Sequence, residues 1–227
     1  MTLDTALRMT EICTGLALLQ ASAEHVFGTR DARALFACRA VFAACLAAGF
    51  MPACAGLGLL GCGMLMLRRY DGPYNGGSDR MALLVLICVT LAEACPVPRG
   101  RELAFGYLAV QVLLSYAMSG WVKVVNPAWR NGEALVDVFA YSAYPASERL
   151  RGWQHHPRLL RTMGWGVMGF ELLMPLALVD ARVLALGLCI AGSFHLANAC
   201  LFGLNRFFWI WLSAYPSLWW LQARIAP

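Results

Sequence analysis

Eight apolar stretches, each about 15–22 residues long, run almost end to end through this chain, which is the length scale of a bilayer crossing. They fall at about Ala6–Phe27, Ala34–Phe50, Ala53–Leu67, Met81–Cys95, Leu103–Val122, Met163–Val179, Val183–Phe202 and Phe207–Leu221. Short breaks rich in proline, glycine or charge part them: Pro52, Pro96 with Pro98, and Asp180 with Arg182. The composition agrees. Hydrophobic residues make up 60% of the 227 and charged residues 14%, and the mean hydropathy is +0.60. A soluble domain of this size has no way to cover so much apolar surface, whereas a bilayer solvates it. The expected fold is therefore all-α, a polytopic bundle of about seven to eight transmembrane helices forming one domain over residues 1–227, with the lipid bilayer as its first partner. The N-terminus lacks a clean apolar core followed by a small-residue cleavage site, so the spans themselves are expected to direct insertion.

The net charge of +5 comes almost wholly from arginine, with Lys123 the single lysine. In a chain this apolar, such an excess reports orientation and lipid headgroups; no basic, aromatic-interleaved patch points to nucleic acid. The nine cysteines form no CxxC pair and mostly sit in apolar runs, where they act as small hydrophobes. His155-His156 lacks the spacing of a metal motif and reads as polar loop, so no metal site is expected. The glycines at 56, 58, 61 and 63 suit close helix packing. Trp209, Trp211, Trp219 and Trp220 suit an aromatic belt. The first stretch, with Glu11, Gln20, Glu24 and His25, either spans or lies at the interface. Residues 133–144 suit a short interfacial helix.

Ionisable groups within spans are costly and mark functional candidates. Here they are Glu93, Lys123, Glu171 and His195, with the amide of Asn198. Lys123 ends the run Ser119-Gly120-Trp121-Val122-Lys123. It reads either as a snorkelling lysine or as a partly desolvated amine able to serve as base or nucleophile, a role closed to arginine. His195 and Asn198, three apart, share a helix face and read either as an interhelical hydrogen-bond pair or as a polar patch on a cavity. Glu171 is a charge partner for Lys123 or an arginine, or else a catalytic carboxylate. Glu93 reads as interfacial.

The run Ser119-Gly120-x-x-Lys123 followed by Trp129 and Gly132, together with Phe194-His195-x-x-Asn198-x-x-Leu201-Phe202, resembles signatures of vitamin K-dependent gamma-carboxylase and its small bacterial relatives, the HTTM-domain proteins. Glu171 before Pro175 is similar to the family's acidic residue before a proline. The resemblance implies a multi-helix membrane fold with a cavity open to one face. It also implies quinol- or lipid-linked redox or proton-transfer chemistry, in a carboxylase-like (lyase) or quinone-linked enzyme with a reduced quinone as cofactor and a peptide or small molecule as substrate. By the same likeness Lys123 is the base and His195 its catalytic neighbour, with Asn198, Glu171 and Trp129 shaping the substrate site, which Ser78 and Asp79 are expected to close from the loop. The expected place is a cell membrane, the inner one in a bacterium.

Two features depart from the family. A counterpart of the large extramembrane domain of the animal enzyme is not expected within these 227 residues, and its loop histidine has no counterpart near Asn75–Asp79, where Ser78 and Asp79 stand instead. Orientation stays open, because the arginine-rich loops place the Lys123 side inside while the likeness places it outside. A reading from another class is a non-catalytic DoxX-like subunit or assembly factor of a larger membrane complex, with the glycine-rich third and tryptophan-rich eighth stretches as docking faces.

Overall fold

The computed structural model describes residues 1–28, 32–69, 77–142 and 147–226, and among these every regular element is helical. The eight long helices follow the eight apolar stretches: α1 (Leu3–Gly28), α2 (Arg33–Ala48), α3 (Pro52–Arg69), α4 (Gly77–Ala94), α5 (Pro98–Val125), α8 (Pro157–Leu173), α9 (Ala181–Phe202) and α10 (Asn205–Ile225). Two short helices, α6 (Pro127–Asn131) and α7 (Glu133–Tyr141), lie between α5 and α8. The glycine-rich connection expected between the third and fourth stretches lies mostly outside the described residues.

Among the described residues, three segments are long and apolar enough to cross a membrane by length and composition: Pro98–Val125, Pro157–Val179 and Ala181–Phe202. The eight long helices are compatible with the bundle of about seven to eight expected, and the others fall outside this criterion for local reasons. Helix α1 carries Asp4, Arg8, Glu11 and Glu24; α3 is a shorter apolar helix; α4 opens on Asp79 and Arg80. Much of α10 is tryptophan, tyrosine and serine, which weigh little in hydropathy.

The chain packs into two compact units, the first of residues 1–110 and 209–225, the second essentially 111–208. In the first, α1 and α2 meet backbone to backbone. A Cβ on Gly15 would lie 2.7 Å from the Ala43 carbonyl oxygen, so only glycine admits this approach. Helix α3 uses its glycines similarly, Gly58 against the Phe42 ring and Gly56 against Thr90. Arg8 closes the end of α2: it donates to the Leu46 carbonyl at 2.9 Å and to that of Ala47, and pairs with buried Glu11 at 2.7 Å. Glu93 meets Arg101, which also pairs with Asp4 at 2.9 Å. Trp211 and Trp220, suited by sequence to a belt, are instead buried, at 9% and 5% exposure.

The second unit begins with the C-terminal half of α5. Asn126 caps α6 through its side chain and Pro127 fills the first turn, where no backbone donor is needed. Gly132 then turns with φ at 93°, a left-handed conformation. Helix α8 tightens into a 3₁₀ turn at Met174–Val179, because Pro175 has no N–H for the α-helical ladder. Asp180 restarts the chain as the N-cap of α9, accepting from the Arg182 and Val183 amides at 2.7 and 3.3 Å.

Candidate functional site

Within the second unit, α5 and α8 cross at Gly120. A Cβ there would stand 2.9 Å from the Leu172 backbone nitrogen and 3.0 Å from the Glu171 Cβ. The missing side chain lets the two helices touch, and residues one turn further along α5 inherit that closeness. Lys123 is such a residue. Its Nζ donates to both Glu171 carboxylate oxygens, at 2.7 and 2.6 Å, and to the Ser119 hydroxyl at 2.9 Å. The Trp129 ring lies 5.3 Å from the ammonium, within cation–π range. The spacing small-Gly-x-x-Lys thus has a physical meaning: the small residue supplies a hydroxyl, the glycine the approach, and the lysine the charge.

The ion pair is largely shielded, with side-chain exposures of 15% for Lys123 and 4% for Glu171. Unpaired, either charge would be prohibitive in an apolar bundle; together, with Ser119 as a further partner, they are satisfied. What exposure remains to Lys123 opens on a cavity of about 660 Å³. Its walls are mainly apolar, from residues such as Val138, Val167, Phe194 and Phe202, and its polar groups come from Lys123, Asp137 and Asn198, with Tyr141 and Ser142 also on the lining. A largely apolar chamber with a few convergent polar groups is the usual form of a small-molecule site.

Lys123, Trp129 and Asn198 all line this cavity, and Glu171 stands behind Lys123. Asn198 Nδ2 donates to the Phe194 carbonyl at 3.1 Å. His195 occupies a different place. It is 1% exposed and its Nε2 lies 2.8 Å from the hydroxyl of Tyr116, with the Phe207 ring 5.0 Å away. Of the two readings of the His195–Asn198 pair, the imidazole follows the first, a hydrogen bond between helices, and the amide the second, a group on the cavity wall. Ser78 and Asp79 sit in the first turn of α4, which belongs to the first unit. His155 and His156 are exposed where a 3₁₀ turn ends and α8 begins.

Two residues that the sequence reading passed over belong to this region. Tyr116, 2% exposed, lies one turn before Gly120 and two before Lys123, so the three share a face of α5. Its spacing was the available signal. Asp137 brings a carboxylate to the cavity from α7; its place beside Val136, Val138 and Phe139 marked an interfacial helix but not the cavity.

The family model of the HTTM domain matches residues 101–220, a stretch that holds the ion pair and every residue of the cavity wall. No curated protein and no solved structure matches the chain.

Proposed function

We propose that this chain, which belongs to the HTTM domain family, is a membrane enzyme that takes a proton from a lipid-soluble, quinol-type substrate at the Lys123–Glu171 pair. The observation that carries the reading is the position of the pair: a shielded amine, held by a carboxylate on its far side, at the wall of an apolar cavity. The ammonium–carboxylate and amine–carboxylic acid forms of such a pair differ by the transfer of one proton along a 2.6–2.7 Å hydrogen bond. In the second form the amine accepts a proton from a substrate hydroxyl while Glu171 keeps its own. The pair then holds one positive charge beside the new oxyanion, which the ammonium stabilises.

Arginine could hold the charge but not do this, since it does not release its proton in proteins. The Trp129 face and the Phe194 and Phe202 rings suit a flat aromatic head, and Asn198 suits its oxygen. His195, through Tyr116, braces α9 against α5. A reduced quinone is the cofactor or substrate of this proposal, a peptide or small molecule its second substrate, and a cell membrane its location.

The test is photo-labelling of the purified protein with an azido-naphthoquinone. Saturable label on peptides carrying Phe194, Asn198 or Phe202, competed away by unmodified quinone, is the expected result. Absence of saturable label, with a stoichiometric membrane partner that copurifies, would replace the enzyme with a non-catalytic subunit of a larger complex.

A further inference from the structure

A second groove, of about 570 Å³, lies in the first unit between the start of α5 and the end of α10. Arg99, Glu102 and Arg224 stand at its head. Leu103, Tyr107 and Val110 continue along α5 at helical spacing, facing Trp220 and Leu221. Gly106 also lines the groove, where a Cβ would lie 3.4 Å from the Trp220 ring. The apolar wall is open, with Leu103 61% and Tyr107 54% exposed.

The head is charged in an uneven way. Glu102 accepts from Arg99 Nη1 at 3.4 Å and from Arg224 Nη2, so among the described residues at the head one carboxylate serves two guanidinium groups and one positive charge is left over. Arg224 also lies over the Trp220 ring, 5.5 Å from its centroid, which fixes it at the groove. A guanidinium has five N–H donors, and each arginine gives one of them to Glu102 in these contacts.

The dimensions match one membrane leaflet. From Arg99 to Val110 the helix rises about 16 Å, close to half of the ~30 Å hydrocarbon thickness. Helix α5 is also long and apolar enough to cross the bilayer. A ligand that fits has an anionic head for the arginines and an apolar tail about one leaflet long.

We infer that this groove is a binding site for one anionic phospholipid, its phosphate at Arg99 and Arg224 and one acyl chain along Leu103, Tyr107 and Val110. A zwitterionic lipid offers the same tail but no net charge for the surplus guanidinium. A basic residue near the membrane surface favours an anionic lipid by roughly a factor of five.

The experiment is native mass spectrometry of the detergent-solubilised protein with phosphatidylglycerol or phosphatidylcholine of identical chains. About fivefold stronger retention of one phosphatidylglycerol is expected. Arg99→Gln, at a side chain 77% exposed and so harmless to folding, should lower that preference severalfold and leave phosphatidylcholine retention unchanged. Equal retention of both lipids, or a preference untouched by Arg99→Gln and by Arg224→Gln, would mean annular lipid only and overturn the assignment. Full displacement by glycerol 3-phosphate at equal concentration would also overturn it, by showing that the head alone is bound.

Discussion

Gly120 of α5 and Glu171 of α8 approach so closely that a Cβ on the glycine would stand 3.0 Å from the Cβ of the glutamate. The Lys123–Glu171 ion pair exists because of that approach. Helix crossing, charge pairing and the opening of Lys123 to the cavity are therefore one feature seen at three levels. Gly120→Ala must push α8 away or distort α5, since one of the contacts at 2.9 Å is with backbone. A loss of about 1–3 kcal/mol is expected, as for other overpacked sites. Thermal unfolding in detergent measures it. Gly166, whose Cβ would meet nothing within 4 Å, is the control, and Gly166→Ala should leave stability unchanged or slightly raised.

The ion pair makes its own energetic prediction. Lys123→Met leaves the Glu171 carboxylate shielded without its main cation, and Glu171→Leu does the reverse. Either change should destabilise by about 3–5 kcal/mol, while the double variant should recover most of the loss. Unfolding midpoints of the two single variants and the double variant form the cycle. Strict additivity would mean that the pair is not coupled in the folded protein.

Tyr116→Phe removes the hydroxyl that meets His195 and nothing of the cavity wall. The expected cost is about 1–3 kcal/mol of stability, with quinone labelling of the cavity retained. Loss of labelling without loss of stability would instead place His195 in the binding chemistry.

Much of the fold was legible because hydropathy is a local property: each of the eight long helices coincides with an apolar stretch. The boundaries were not, because helices begin in polar caps and turns that apolar counting leaves out. Helix α5 starts at Pro98 and α8 at Pro157, five or six residues before the stretches read there. The site was legible where one helix carries the signal. Lys123, with Gly120 before it and Trp129 after it, stands in the sequence as a spaced motif, and Glu171 is conspicuous as an acid within a span. The neighbours supplied by tertiary packing were not legible. Tyr116 reads as an ordinary aromatic in an apolar helix until α9 brings His195 to it, and Asp137 reads as the polar side of α7 until α7 closes over the cavity. The same dependence on packing separates His195 from Asn198, two residues that spacing alone places on one face.

The central claim is that Lys123 works by taking a proton. A quinolate gives its two electrons to oxygen far more readily than the neutral quinol, leaving quinone and hydrogen peroxide, so oxygen-dependent consumption of a reduced naphthoquinone by the purified protein in lipid vesicles tests that claim most directly. The account predicts turnover by the natural protein and a loss of roughly 10²–10⁴-fold in Lys123→Arg, with the variant still folded and still labelled by quinone. Turnover in Lys123→Arg equal to that of the natural protein would contradict it.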